Sequence, residues 1–339
     1  MGAARLVGRA IAVIVPVAFL GAFFLLPVVT ILARGLGANG LDALLDLARS
    51  PRQRDVVWFT TWQAVVSTGL TLLVALPGAA MVAGLGERRR RLVRVAVTVP
   101  FVLPTVVVAG AFDALFSRFG LDEGALRLRH TVWAILVAHV FFNYAVVVRV
   151  VGSYWAGLDG RLEDQARLLG ASRWRTFVGV TLPRLRPAIA SASAIVFLFT
   201  FTSFGVVLVL GGPRLSTIET EIYRFAVVRS DLTTAAALAT VQVVMVLGVV
   251  VVSTMLERRA AVPTVGRPRP AVRSTRRWVV GNVVVMVVLL GLPVLVLVEQ
   301  SLRVGEGWSL RHYGALAHRV PQLPAPATTA LLNSLSFAV

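Results

Sequence analysis

Long apolar runs without a charged side chain, repeated along the whole chain, leave this sequence very few folds. Residues 10–33, 56–86, 187–213, 232–256 and 278–298 carry no Asp, Glu, Lys or Arg. Two further runs are interrupted or shorter: 95–112, which continues past Asp113 to Phe116, and 131–148. About 20 apolar residues suffice for a helix to cross the hydrocarbon core of a bilayer. Inside lipid every backbone N–H and C=O must be paired within the protein, so only helices and closed barrels can cross. Barrel strands alternate apolar and polar residues, and these runs do not. The expected fold is therefore an all-α polytopic membrane protein. The overall balance agrees: 15% of residues are charged, against about 25% in soluble domains.

The first run is longer than a secretory signal core of about 7–15 residues, and no small-x-small cleavage site follows it. It reads as a retained helix with Arg5 and Arg9 on the cytoplasmic side. The formal charge of +18 comes from arginine alone, since the chain has no lysine. Its placement excludes a nucleic-acid face, which would be a stripe on a folded soluble domain. Residues 87–94 hold five arginines and one glutamate, and residues 257–277 hold seven and one. Segments 33–56, 117–130 and 212–232 are nearly balanced. Arginine in alternate loops is the positive-inside pattern. It puts the N-terminus, the 87–94 loop, the segment 152–186 and the linker 258–277 in the cytoplasm.

There is no cysteine, so disulfides and thiolate metal sites are excluded. Without lysine no phosphate-binding Gly-x-x-x-x-Gly-Lys loop can exist. No His-Glu-x-x-His, Gly-x-Ser-x-Gly or histidine cluster occurs either. No catalytic residue, metal ligand or bound cofactor is expected in this chain.

One polar segment, about 153–187, is long enough to fold outside the bilayer. Residues 161–169 are good helix formers, and Gly170 can take the left-handed conformation that ends a helix. Ser172 can cap the next helix. That second helix presents Trp174 and Phe177 beside Arg173 and Arg175, before Leu182-Pro183 leads into the next span. The expectation is two short helices hinged at Gly170, with acidic Glu163 and Asp164 on the first. Such a pair can dock a soluble partner or lie on lipid headgroups.

The pattern Asp164-Gln165-Ala166, three residues, Gly170, nine residues, Val180, one residue, Leu182-Pro183 resembles the EAA loop of ABC importer permeases. The family pattern is Glu-Ala-Ala, Gly, Ile, Leu-Pro at the same spacing; here Asp164 replaces Glu, Gln165 replaces Ala and Val180 replaces Ile. The resemblance implies a membrane permease in the bacterial plasma membrane. Its ATP and Mg would sit on a separate cytoplasmic ATPase docked around Asp164–Phe177, with a solute-binding protein outside. A second stretch, Phe201-Thr202-Ser203-Phe204-Gly205 through Gly211-Gly212-Pro213 to Thr217–Tyr223, looks like the two-repeat permeases for ferric iron and for thiamine. Pro100 and Pro104 fit the same group. The resemblance thus implies a ferric iron or thiamine-like solute. The rival from another class is an ion-gradient-driven secondary transporter.

Residues 1–257 form the expected first six-helix repeat. The linker 258–277, rich in Arg and Pro, reads as a cytoplasmic joint. Residues 278–339 restart the pattern: Trp308 to Tyr313 and Asn333-Ser334 correspond to Gly40–Leu44 and Trp62-Gln63. An apolar run beginning near Ala325 reaches Val339, so a truncated second repeat is expected. Polar residues within apolar runs tend to face a cavity or a partner. Asp113, Asn143, Thr202, Ser203 and Gln242 are pathway candidates on that ground. His139 reads as a packing contact. Gly211 and Gly212 are expected to end the fifth span and to shape its outer mouth.

Overall fold

The structure, a computed structural model, describes residues 13–124, 127–260, 276–305, 307–318 and 325–338. The described residues are helical apart from turns and one two-strand hairpin of β1 (Arg303–Val304) and β2 (Gly307–Trp308). In chain order the helices begin with α1 (Val13–Leu36), α2 (Ala38–Arg49), α3 (Pro51–Ala83), α4 (Glu87–Val102) and α5 (Thr105–Arg118). They continue with α6 (Val132–Gly157), α7 (Arg161–Leu168), α8 (Arg173–Phe201), α9 (Gly205–Leu210) and α10 (Ile218–Tyr223). The last are α11 (Leu232–Ala260), α12 (Arg277–Leu302), α13 (Arg311–Ala315) and α14 (Ala327–Ala338). Six of them are long and apolar enough to span a membrane, seven if α4 and α5 count as one bent span.

The core forms around α6, which is buried along most of its length and packs most extensively on α3. α8 lies against both, and α11 against α8. Threonines in α3 satisfy their hydroxyls within the helix. Thr60, Thr68 and Thr71 donate to carbonyls one turn back at 2.7 Å, so these polar residues can be buried in a span without an unmet donor.

Two expected continuous spans are broken. The run 95–116 does not form one helix: α4 and α5 meet at 92°. Pro104 has no N–H to donate and crowds the residue before it out of the helical region. Leu103 is accordingly extended, at φ −63° and ψ 141°. The run 187–213 is also divided, since α8 stops at Phe201 and α9 restarts at Gly205. The Gly211-Gly212-Pro213 turn ends α9, not the long span.

The second short helix of the polar segment is not separate. Arg173 opens a helix that runs through a widened turn, Phe177–Thr181, directly into the span. There the Leu182 N–H bonds the Phe177 carbonyl five residues back, immediately before Pro183. The same device precedes Leu26-Pro27 in α1 and Leu292-Pro293 in α12. A proline ring clashes with the carbonyl four residues back, and a π turn relieves that clash. Most of the linker 258–277 (residues 261–275) lies outside the described residues. α12 packs on α5, where Arg118 meets Glu299 at 3.7 Å.

Candidate functional site

The segment between α6 and α8 turns back on itself at Gly170. The Gly170 N–H bonds the Arg167 carbonyl and the Ala171 N–H bonds the Ala166 carbonyl, both at 3.0 Å. This pair of bonds is a Schellman closure, which needs a left-handed residue; Gly170 has φ +86°. No neighbouring atom lies within 4 Å of where a β-carbon would sit, so the demand for glycine is conformational rather than steric. Ser172 Oγ then accepts the Arg175 N–H at 3.3 Å and caps α8.

Glu163, one of the two acidic residues expected on the first short helix, turns inward. It is 3% exposed, and its Oε1 accepts the Thr181 hydroxyl at 2.9 Å. That bond ties α7 to the widened turn of α8. A second tie runs from the Arg184 guanidinium to the Asp159 carbonyl at 2.8 Å. Trp155 at the end of α6 stacks on Phe177 at 5.9 Å, and Phe177 in turn contacts Trp174 at 5.8 Å. The loop is therefore bolted to the ends of α6 and α8. Asp164, Gln165 and Arg175 stay exposed; Ala166, Val180, Leu182 and Pro183 are half-buried.

With Glu163 inside, the leucines of α7 and of its C-cap face outward. Leu162 is half exposed, Leu168 and Leu169 are each 88% exposed, and Trp174 is 70% exposed beside them. Arg161, Arg167, Arg173 and Arg175 of the same segment are exposed as well. Exposed contiguous apolar surface rimmed by charge marks an interaction face.

At the same end of the bundle Arg91, Arg94 and Arg149 line a cavity of about 1100 Å3 between α4, α6 and α8. A second cavity of about 360 Å3 lies deeper, between the α4–α5 break and the α8–α9 break. Phe101, Leu103 and Phe199 line both cavities, and the two rings stand 5.9 Å apart. Of the pathway candidates, Asn143, Thr202 and Ser203 come together around the deeper cavity. His139 joins them and is also a packing contact, with Nδ1 3.0 Å from Ser67 Oγ. Thr105, Phe101 and Phe199 were missed by sequence reasoning, although Pro104 marks the position beside which they gather.

The remaining candidates lie elsewhere. Asp113 is bound by Arg129 through two contacts, at 2.7 and 2.9 Å. Gln242 donates to Glu219 at 2.6 Å. Burial raises the Glu219 pKa, and the Gln242 hydrogen bond partly opposes that shift. Gly212 has φ +63° and sits against the His130 ring, closing the turn after α9.

A bundle of membrane-length helices with a docked loop at one end and polar breaks at its centre has the architecture of a transport permease. The chain belongs to the family of binding-protein-dependent transport system inner membrane components, whose model matches residues 75–262. It is 31% identical over 259 residues to the thiamine transport system permease protein ThiP of Salmonella typhimurium, covering 72% of this chain and 48% of that protein. It is 34% identical over 128 residues to the sulfate transport system permease protein CysT of Escherichia coli, covering 36% and 46%. The chain thus spans about half the length of the curated relatives it matches. Among solved structures, a chain of a bacterial alginate ABC transporter, in complex with an alginate pentasaccharide-bound periplasmic protein, has the same fold. Its TM-score is 0.61 at 20% identity, covering 75% of this chain and 94% of that one.

Proposed function

We propose that this chain forms the membrane-spanning, solute-conducting part of an ATP-driven importer, and that α7 with the start of α8 engages a separate cytoplasmic ATPase. The observation that carries this reading is the inverted amphipathicity of α7: its carboxylate Glu163 is buried while Leu168 and Leu169 are open. A helix resting on its own bundle would bury the leucines. Here they are left for a partner, and the ties at Glu163, Arg184 and Trp155 transmit a push on the loop to α6 and α8.

In this reading the arginine-lined end and the N-terminus are cytoplasmic, in a bacterial plasma membrane. ATP and Mg act on the partner, and a solute-binding protein delivers solute from outside. Closure of the ATPase moves the docked loops and swings the helices between inward- and outward-facing states. The thiamine-named relatives favour a thiamine-like solute over ferric iron.

Gly170→Val tests the docking. A β-branched residue at positive φ costs about 1 kcal/mol or more, and with open space around the site the bundle itself should fold. The variant is expected to insert normally while ATPase co-purification and uptake fall together. Full ATPase retention with normal uptake would refute the docking role.

A further inference from the structure

Backbone interrupted at membrane depth is tolerated only where it is buried in protein or lines a cavity. In transporters, broken helices commonly frame the solute site. Here two breaks, at Leu103-Pro104 and at Thr202–Phe204, face each other across one cavity. They approach so closely that a β-carbon on Gly205 would collide with Thr105 Oγ1 unless that side chain shifted. The cavity's volume, about 360 Å3, falls within the roughly 300–1,000 Å3 typical of small-molecule sites.

Its lining has a definite chemistry. Four phenylalanines contribute, Phe101, Phe142, Phe199 and Phe204. Neutral hydrogen-bonding side chains come from Thr105, His139, Asn143, Thr202 and Ser203. None of the described residues lining it is Asp, Glu or Arg. Two of the polar groups carry unmet capacity at 2% exposure. Asn143 gives its amide N–H to the His139 carbonyl and leaves Oδ1 unpaired; His139 uses Nδ1 on Ser67 and leaves Nε2 unpaired. Buried polar atoms left without a partner cost about 1–3 kcal/mol each, and both belong to side chains that line this cavity.

We propose that this cavity is a solute-binding subsite within the membrane, selective for a planar heteroaromatic solute, neutral or cationic, with hydrogen-bonding substituents. The inference rests on the import reading above. Aromatic faces attract flat rings and delocalised cations, and the neutral polar groups orient the substituents. A bare ferric ion would need hard oxygen ligands such as carboxylates, and sulfate would need arginine or a cluster of N–H donors. The cavity's side chains supply neither. Phe101 and Phe199, shared with the arginine-lined cavity, then form the constriction the solute passes next.

The absence of cysteine from these 339 residues allows a direct test. Thr202→Cys and Ser203→Cys are introduced singly, with Ser193→Cys as a control on the opposite side of α8, where it lines a different groove. Labelling by a small thiol reagent is followed in membranes holding the permease–ATPase complex without the solute-binding protein. Saturating thiamine, the heteroaromatic probe, should slow labelling at 202 and 203 about tenfold, as mass action requires of a site roughly 90% occupied, and leave 193 unchanged. Uptake by the unsubstituted full complex with its binding protein is measured alongside. Normal thiamine uptake with no protection at 202 and 203 overturns the subsite alone. Protection by sulfate or ferric citrate equal to that by thiamine overturns the assigned class. Absence of ATP-driven uptake overturns the import reading and the subsite with it.

Discussion

Glu163 shows how one side chain sets the orientation of a helix. Its carboxylate receives the Thr181 hydroxyl in the interior, and α7 is rotated accordingly, exposing Leu168 and Leu169. Removing the acceptor leaves a buried hydroxyl unpaired, at a cost of about 1–3 kcal/mol. Glu163→Ala should therefore loosen α7 locally without unfolding the spans. Limited trypsin digestion of the complex is expected to cut at Arg161 and Arg167 several times faster than in the parent. Glu163→Gln keeps an oxygen for Thr181 and should behave nearly as the parent does. Equal digestion rates for all three proteins would show that the tie does not hold the loop.

Among the elements, four prolines mark where helices break or widen, while Pro77 and Pro187 sit inside helices that continue. Pro27, Pro183 and Pro293 each follow a leucine and a π turn, and their helices continue. Pro104 instead stands at a complete break, with Leu103 extended and α5 restarting at 92° to α4. The difference lies in what receives each new direction. The turned α5 packs on α9 and α12, so its packing compensates for the lost helical bonds. Pro104→Ala removes the local restriction and restores a donor. If the proline maintains the angle, spin labels placed near Arg91 and Phe116 should move apart as the pair straightens, and uptake should fall. An unchanged distance would assign the bend to packing alone.

Across the whole molecule, charge and packing define two ends. Arg91, Arg94, Arg149 and the α7 loop share one end; α2 and the turn before α11, which line a separate groove, share the other. The arginine end is expected in the cytoplasm, because basic loops are retained there. An impermeant maleimide should label Asp42→Cys in intact cells and Arg89→Cys only after permeabilisation; both positions are exposed. The reverse pattern would invert the orientation. α1 and α12 share the widened turn before Leu-Pro, a structural parallel between the two ends of the chain.

Local chemistry alone was enough to determine the membrane class and the positive-φ turn at Gly170, while of the seven expected spans six are single membrane-length helices and the seventh is a bent pair. Span length depends only on how many consecutive residues avoid charge, and the Schellman turn only on one residue tolerating positive φ, so both can be read along the chain. The Ser172 cap was legible for the same reason. The breaks at Leu103-Pro104 and Thr202–Phe204 were not, because an apolar run looks continuous until a neighbouring helix supplies contacts that make bending favourable. Nor could periodicity tell that Glu163 would turn inward, since the Thr181 hydroxyl that binds it reaches it only through the fold. The deeper cavity is a property of tertiary structure altogether. Asn143, Thr202 and Phe101 come from three separate parts of the chain, and only packing brings them around one space.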